Sequence, residues 1–250
     1  MTRSATITAA LFVMAAATPA IAAPVAVKNV VIVHGAFADG SGWRAVTDIL
    51  EKDGFNVSIV QEPLTSLEED VAATQRVLAR VDGPVVLVGH SYGGMVITQA
   101  GNDPKVASLV YVAAAAPAEG ETAFGLLSSL PAKSTGVAPT KDGYLFLDPK
   151  VFQADFAADV PEATTTFMAL SEMPASVKAF TTPVTNPAWK TKPSYGIVST
   201  QDRTINPDLE RSMYKRAGAK VTEINASHAV FLSQPKAVAA VIEAAARATK

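Results

Sequence analysis

The chain has 250 residues, 49% apolar and 18% charged, which is enough to bury one large core and too apolar for a disordered segment. A net charge of −2, with no run of lysine or arginine, excludes a surface built for nucleic acid or for anionic lipid. Cysteine is absent, so disulfides, a thiol nucleophile and a thiolate metal site are excluded as well.

Residues 1–22 read as a secretory signal peptide. Arg3 precedes an apolar run from Ala5 to Ala17, followed by Thr18-Pro19 and the small-residue pattern Ala20-Ile21-Ala22. That run falls short of the ~20 residues a membrane-spanning helix needs, so a cleaved leader is expected rather than an anchor. The mature chain, 23–250, is then expected in the bacterial periplasm or outside the cell. It should have no membrane span and exist as a monomer or homodimer.

From Lys28 onward strand and helix patterns alternate. Asn29 to Val33 is an apolar strand running into His34-Gly35-Ala36-Phe37, and a helix is predicted from Ser41 past Trp43 to Lys52, stopped by Gly54. Phe55 to Val60 is a second strand. Ser66-Leu67-Glu68-Glu69 has the form of a capping box and opens a helix reaching toward Gly83. Val85 to Val88 then leads into Gly89-His90-Ser91-Tyr92-Gly93 and the helix-like Met95 to Ala100. This is G-x-S-x-G in strand-turn-helix context, a turn so tight that the residues two before and two after the serine must be small. Ser91 is thereby lifted out on a strained backbone, with the following helix start facing whatever it attacks. Lys105 to Ala114 is a fourth strand.

Between Pro117 and Pro193 the composition shifts. Nine of the 16 prolines and six of the 10 phenylalanines fall there, and the long aliphatic runs stop, which predicts a mainly helical cap inserted at about 117–193. Short helices are expected at Thr122 to Leu130, Lys150 to Ala158 and Glu162 to Leu170, with a hairpin at Asp142-Gly143. Most of the cap phenylalanines should form its own core, while Phe37, Phe124 and Trp189 are the side chains expected to meet substrate. The core pattern resumes with the strand Tyr195 to Thr200 and a helix capped by Asn206. A last strand, Val221 to Ile224, and an apolar helix from Pro235 to Ala248 complete it.

Six strands joined by helical crossovers give an α/β fold with a doubly wound, mostly parallel sheet. With strand order 2-1-3-4-5-6, the ends of strands one and three flank the switch point, which sets His34-Gly35-Ala36 beside Ser91. A serine hydroxyl needs a base, and the base needs an orienting carboxylate. Of the three histidines, His34 and His90 read as structural, and His228, directly after the last strand, is the base. Asp202, directly after strand five, is the acid; Glu119 competes but already enters the cap. Backbone N–H groups of Tyr92 and Ala36, with Phe37 as the neighbouring option, are the expected oxyanion donors.

Val31-Ile32-Val33-His34-Gly35-Ala36, Gly89-His90-Ser91-Tyr92-Gly93-Gly94, Thr200-Gln201-Asp202 and Ser227-His228 resemble the α/β-hydrolase superfamily. Together with Ser233-Gln234-Pro235, they are similar to the small esterase branch that includes plant methylesterases and hydroxynitrile lyases. The resemblance implies the α/β-hydrolase fold, and hydrolysis of small carboxylic esters without cofactor or metal. The lyases carry lysine after the catalytic histidine and threonine after the oxyanion-strand histidine. Ala229 and Gly35 stand there instead, so lyase chemistry is not expected. A carboxylesterase acting on small, fairly apolar esters is the expected function, with a cofactor-free perhydrolase and a non-catalytic ligand-binding homologue as alternatives.

Overall fold

β-Branched and aliphatic runs become the buried strands, because a parallel sheet covered by helices on both faces has no solvated side. The computed structural model describes residues 27–134 and 136–248; the leader expected at 1–22 lies outside them. In chain order the core opens with β1 (Asn29–Val33), a 3-10 turn at Gly40–Trp43, α1 (Arg44–Lys52), β2 (Asn56–Val60), α2 (Leu67–Ala79), β3 (Val85–His90), α3 (Gly93–Ala100) and β4 (Val106–Val112). The helix foreseen from Ser41 thus starts as a 3-10 turn, capped by the Asp39 carboxylate on Ser41 N–H, and turns α-helical at Arg44. Ser66 caps α2 as the capping box requires, accepting from Glu69 N–H.

The insertion is built from α4 (Ala123–Ser129), β5 (Val137–Pro139), β6 (Tyr144–Leu147), α5 (Pro149–Phe156), α6 (Glu162–Leu170), β7 (Ala175–Ser176) and α7 (Val177–Thr181). The hairpin is present as β5–β6, but β7 adds to it, so the cap carries a three-stranded antiparallel sheet among its helices. The core then resumes with β8 (Ser194–Ser199), α8 (Pro207–Arg216), β9 (Lys220–Ile224), α9 (Val230–Ser233) and α10 (Pro235–Ala248).

The main sheet has the order β2-β1-β3-β4-β8-β9 with every neighbouring pair parallel. α1 and α10 pack together on it, as do α2 and α3. β1, β3 and β8 are buried at every residue, whereas the edge strands β2 and β9 are largely open. All six strands end at one edge, and the loops that leave that edge carry Ala36, Ser91, Asp202 and His228.

One cap residue makes the fold's stability depend on pH. The half-buried Glu172 carboxylate accepts a 2.6 Å hydrogen bond from Leu147 N–H on β6, yet burial outweighs that bond and pushes its pKa up to about 7. An acid raised in the folded state contributes full stability below its unfolded pKa, and that contribution is lost as pH rises through about 7. Glu172→Gln keeps the acceptor and drops the charge. After allowing for solvent screening it should stabilise the protein by about 1 kcal/mol at pH 8.5 and by almost nothing at pH 4.5. Thermal unfolding at the two pH values reads this; an equal shift at both would rule it out.

Candidate active site

The turn from β3 into α3 holds Ser91 at φ +52°, in the left-handed region that a serine rarely occupies. Hydrogen bonds on both sides lock it there: Ser91 N–H donates to Val112 O at 3.3 Å, and Ser91 O accepts from Gly94 N–H at 3.0 Å and Ala115 N–H at 3.1 Å. The glycine spacing has its expected cause. A Cβ on Gly89 would sit 2.6 Å from the Gly93 carbonyl oxygen, so the turn closes only without one. Gly35 is constrained in the same way, since a Cβ there would lie 2.8 Å from Ser91 Cβ and 2.8 Å from His90 Nδ1. A threonine at that position would displace the serine itself.

Asp202 and His228 meet across the ends of β8 and β9. His228 Nδ1–H donates to Asp202 Oδ2 at 2.6 Å, and Asp202 Oδ1 accepts from Thr204 N–H at 2.7 Å and Ile205 N–H at 2.9 Å. With Nδ1 committed, the lone pair is on Nε2, which is buried without a hydrogen-bond partner. Ser91 is therefore not hydrogen-bonded to His228. Behind Asp202 lies Glu210, fully buried, accepting from Ser199 N–H at 3.2 Å. Burial first, and the Asp202 charge second, push its carboxyl well above the usual carboxylate range.

The other titratable candidates sit elsewhere. His90 Nε2–H donates to the His228 carbonyl at 3.1 Å, and burial holds its ring well below the usual histidine range, so it is neutral. His34 Nδ1–H donates to Gly35 O at 2.8 Å while its Nε2 accepts from Glu62 N–H at 3.0 Å, which also fixes a neutral tautomer. Glu119, the competing acid, is exposed and paired with Lys190 at 2.9 Å.

Ser91 lies on the wall of a cavity of about 790 Å³ between sheet edge and cap. Ala36, Phe37 and Tyr92 line it beside Ser91, and Phe124, Leu127, Leu145 and Phe180 face them from the cap. None of the described lining residues is charged. Phe37, itself at φ +63°, and Phe124 are thus on the cavity wall. Trp189 is not. Its Nε1–H donates to Pro117 O at 2.7 Å at the base of the cap, and the indole does not line the cavity.

Several residues around the site escaped the sequence reading. Tyr92 Oη donates to Asp70 Oδ2 at 2.8 Å, and its ring stacks on Phe180 at 5.2 Å, tying the elbow to α2 and the cap. Burial pushes Asp70 up to about 6 even against that hydrogen bond. From the cap, Asp155, Phe156 and Asp159 reach the Asp202 and His228 loops. Nothing local in the sequence marks these side chains, because each partner lies tens of residues away; a capping box announces itself within four.

A family model described as the alpha/beta hydrolase family matches residues 30–241. Two curated relatives stand out. A carbendazim hydrolyzing esterase from Nocardioides sp. is 37% identical over 113 aligned positions, covering 40% of this chain and 47% of that protein, so the match spans about half of its length. A pyrethroid hydrolase from Sphingobium wenxiniae is 27% identical over 249 positions, covering 86% of each chain. Among solved structures, a pyrethroid hydrolase superposes with TM-score 0.76 at 25% identity, over 89% of this chain and 98% of that one. An Arabidopsis methylesterase shares the fold at TM-score 0.74 and 21% identity, over 88% of this chain and 99% of that one.

Proposed function

Since the chain belongs to the alpha/beta hydrolase family and is an ester hydrolase, we propose that it is a serine carboxylesterase for neutral, apolar esters, with Ser91 as nucleophile, His228 as base and Asp202 as orienting acid. The observation that carries this reading is Ser91 held on a strained backbone at the wall of an uncharged cavity. His228 Nε2 takes the hydroxyl proton as Ser91 Oγ attacks the acyl carbon, and the imidazolium so formed is stabilised by Asp202. Backbone N–H groups of Tyr92 and Ala36, with Phe37 adjoining, meet the oxyanion; one such donor is worth ~3 kcal/mol. The imidazolium then protonates the departing alcohol, and water repeats the sequence to release the acid.

Both parts of the substrate are neutral, because a charged group inside a cavity whose described lining residues carry no charge would lose its hydration without a partner. The volume accepts acyl and alcohol parts that together reach drug-like size, so bulky apolar esters fit alongside small ones. The names of the pyrethroid and carbendazim relatives support ester hydrolysis at such a site. The leader-like residues 1–22 support work outside the cytoplasm.

The test compares p-nitrophenyl butyrate with the mono-p-nitrophenyl ester of succinic acid, similar in size but anionic. The neutral ester should have a kcat/KM at least ~100-fold higher, the cost of one buried unpaired charge. Equal kcat/KM for the two would sink the uncharged-substrate reading.

A further inference from the structure

An inserted cap is expected to roof the substrate and nothing more, and its buried Phe152 and Phe156 are enough to seat it. The end of α5 does something else. Within five residues, Asp155 to Asp159, it contacts both loops that carry the acid and the base. On the base side, Ser227 N–H donates to Asp159 Oδ2 at 3.0 Å and the Ser227 hydroxyl donates to Asp159 Oδ1. Ala229 N–H donates to Phe156 O at 2.9 Å, so the residues immediately before and after His228 are both held by the cap. Between them the Phe156 ring meets the His228 imidazole edge-on, 4.9 Å between centroids. On the acid side, Arg203 Nε–H donates to Asp155 Oδ1 at 3.0 Å and the Thr204 hydroxyl donates to Asp155 O at 2.9 Å, both on the turn whose N–H groups hold Asp202.

We propose that the Asp155–Asp159 segment is a positioning clamp: through Asp159, Phe156 and Asp155 the cap sets the His228 loop against the Asp202 loop and so fixes where the imidazole stands. The sheet alone does not do this. β8 and β9 are paired along their length, and the pairing runs on through Thr200 N–H to Ile224 O and Gln201 N–H to Ala226 O, but it stops short of Asp202 and His228, three and four residues beyond the strand ends. The Nδ1–H bond to Asp202 sets the ring's rotation, while Nε2 has no hydrogen bond of its own, so its position follows that of the loop carrying it. None of the three clamp residues touches the cavity, which separates their role from that of the substrate walls.

The clamp rests on the reading of Ser91, His228 and Asp202 as the reacting groups, and the experiment keeps the two apart. In the full chain, Asp159→Ala and Asp159→Asn are compared with the unaltered protein for kcat and KM on p-nitrophenyl butyrate, rate of fluorophosphonate labelling, and melting temperature. Asp159→Ala should lower kcat and the labelling rate together by about 10- to 100-fold, the effect of a sub-ångström misplacement, with KM within about twofold. Asp159→Asn, which still offers an acceptor to Ser227 N–H, should recover most of that loss. A roof with no other duty would change KM and leave kcat alone, and that result overturns the clamp. If circular dichroism shows Asp159→Ala unfolded, Asp155→Asn takes its place; it removes the charge pairing Arg203 and should lower kcat about 10-fold, and an unchanged kcat again overturns the proposal. Absence of any Ser91 adduct in the unaltered protein would instead remove the catalytic reading and the clamp with it.

Discussion

Ser91→Ala should lower kcat on a neutral ester by about four to six orders of magnitude while the melting temperature stays within about 2 °C. The loss is large because the substitution removes the atom that forms the acyl bond, leaving only the oxyanion donors and substrate binding to act above the uncatalysed rate. The fold survives because every hydrogen bond locking the turn is a backbone one. Ser91 N–H to Val112 O, and Gly94 and Ala115 N–H to Ser91 O, are all kept by alanine. The hydroxyl itself fills a cavity wall and no core. A variant that kept more than about one-hundredth of the activity would show that another residue carries the attack.

Asp202→Asn comes next in size, with an expected fall of about 10⁴ in kcat, and the reason can be followed atom by atom. Thr204 and Ile205 N–H both point at Oδ1, so the amide of asparagine must place its oxygen there and its NH₂ at the former Oδ2 position. That NH₂ faces His228 Nδ1, which can then only accept. The imidazole is forced to carry its proton on Nε2, the nitrogen that must be bare to act as base. Steady-state kcat at pH 8 measures the loss. A fall of less than tenfold would take the acid role away from Asp202, though Glu119 is a poor heir, tied up in its exposed pair with Lys190.

That Ser91, Asp202 and His228 share one edge was legible in the sequence because each lies within four residues of a strand end, and strand ends of a parallel sheet share one edge. Val31 to Val33, Val85 to Val88 and Tyr195 to Ser199 announce their strands by residue type alone, so Ala36, Ser91 and Asp202 were located by counting from them. The cap resisted in proportion to how little of it is periodic. α6 lies where its pattern put it, at Glu162–Leu170, and the Asp142-Gly143 turn does close a hairpin. β7 could not be foreseen. It is two residues long, Ala175–Ser176, and exists only because Tyr144 and Leu145 of β6 offer it a free edge. Trp189 is expected from the sequence to meet substrate. The structure gave its indole N–H a carbonyl at Pro117 instead, 72 residues away, and such a partner leaves no local trace.

The same holds for Asp155, in the last turn of α5, and Asp159, just beyond it, which nothing in the adjacent sequence marks. Their partners, Arg203 and Ser227, lie 48 and 68 residues on. Asp70 is similar: it sits in a helix start where an acid favours the dipole, so nothing hints that it is turned inward to Tyr92.

Whether Ser91 is an activated nucleophile is decided by covalent capture. The purified protein is incubated with a fluorophosphonate and read by intact mass, with peptide mapping of the adduct. One adduct per chain is expected, on Ser91 and absent from Ser91→Ala. A folded protein that takes up no label, or takes it on another residue, would contradict it.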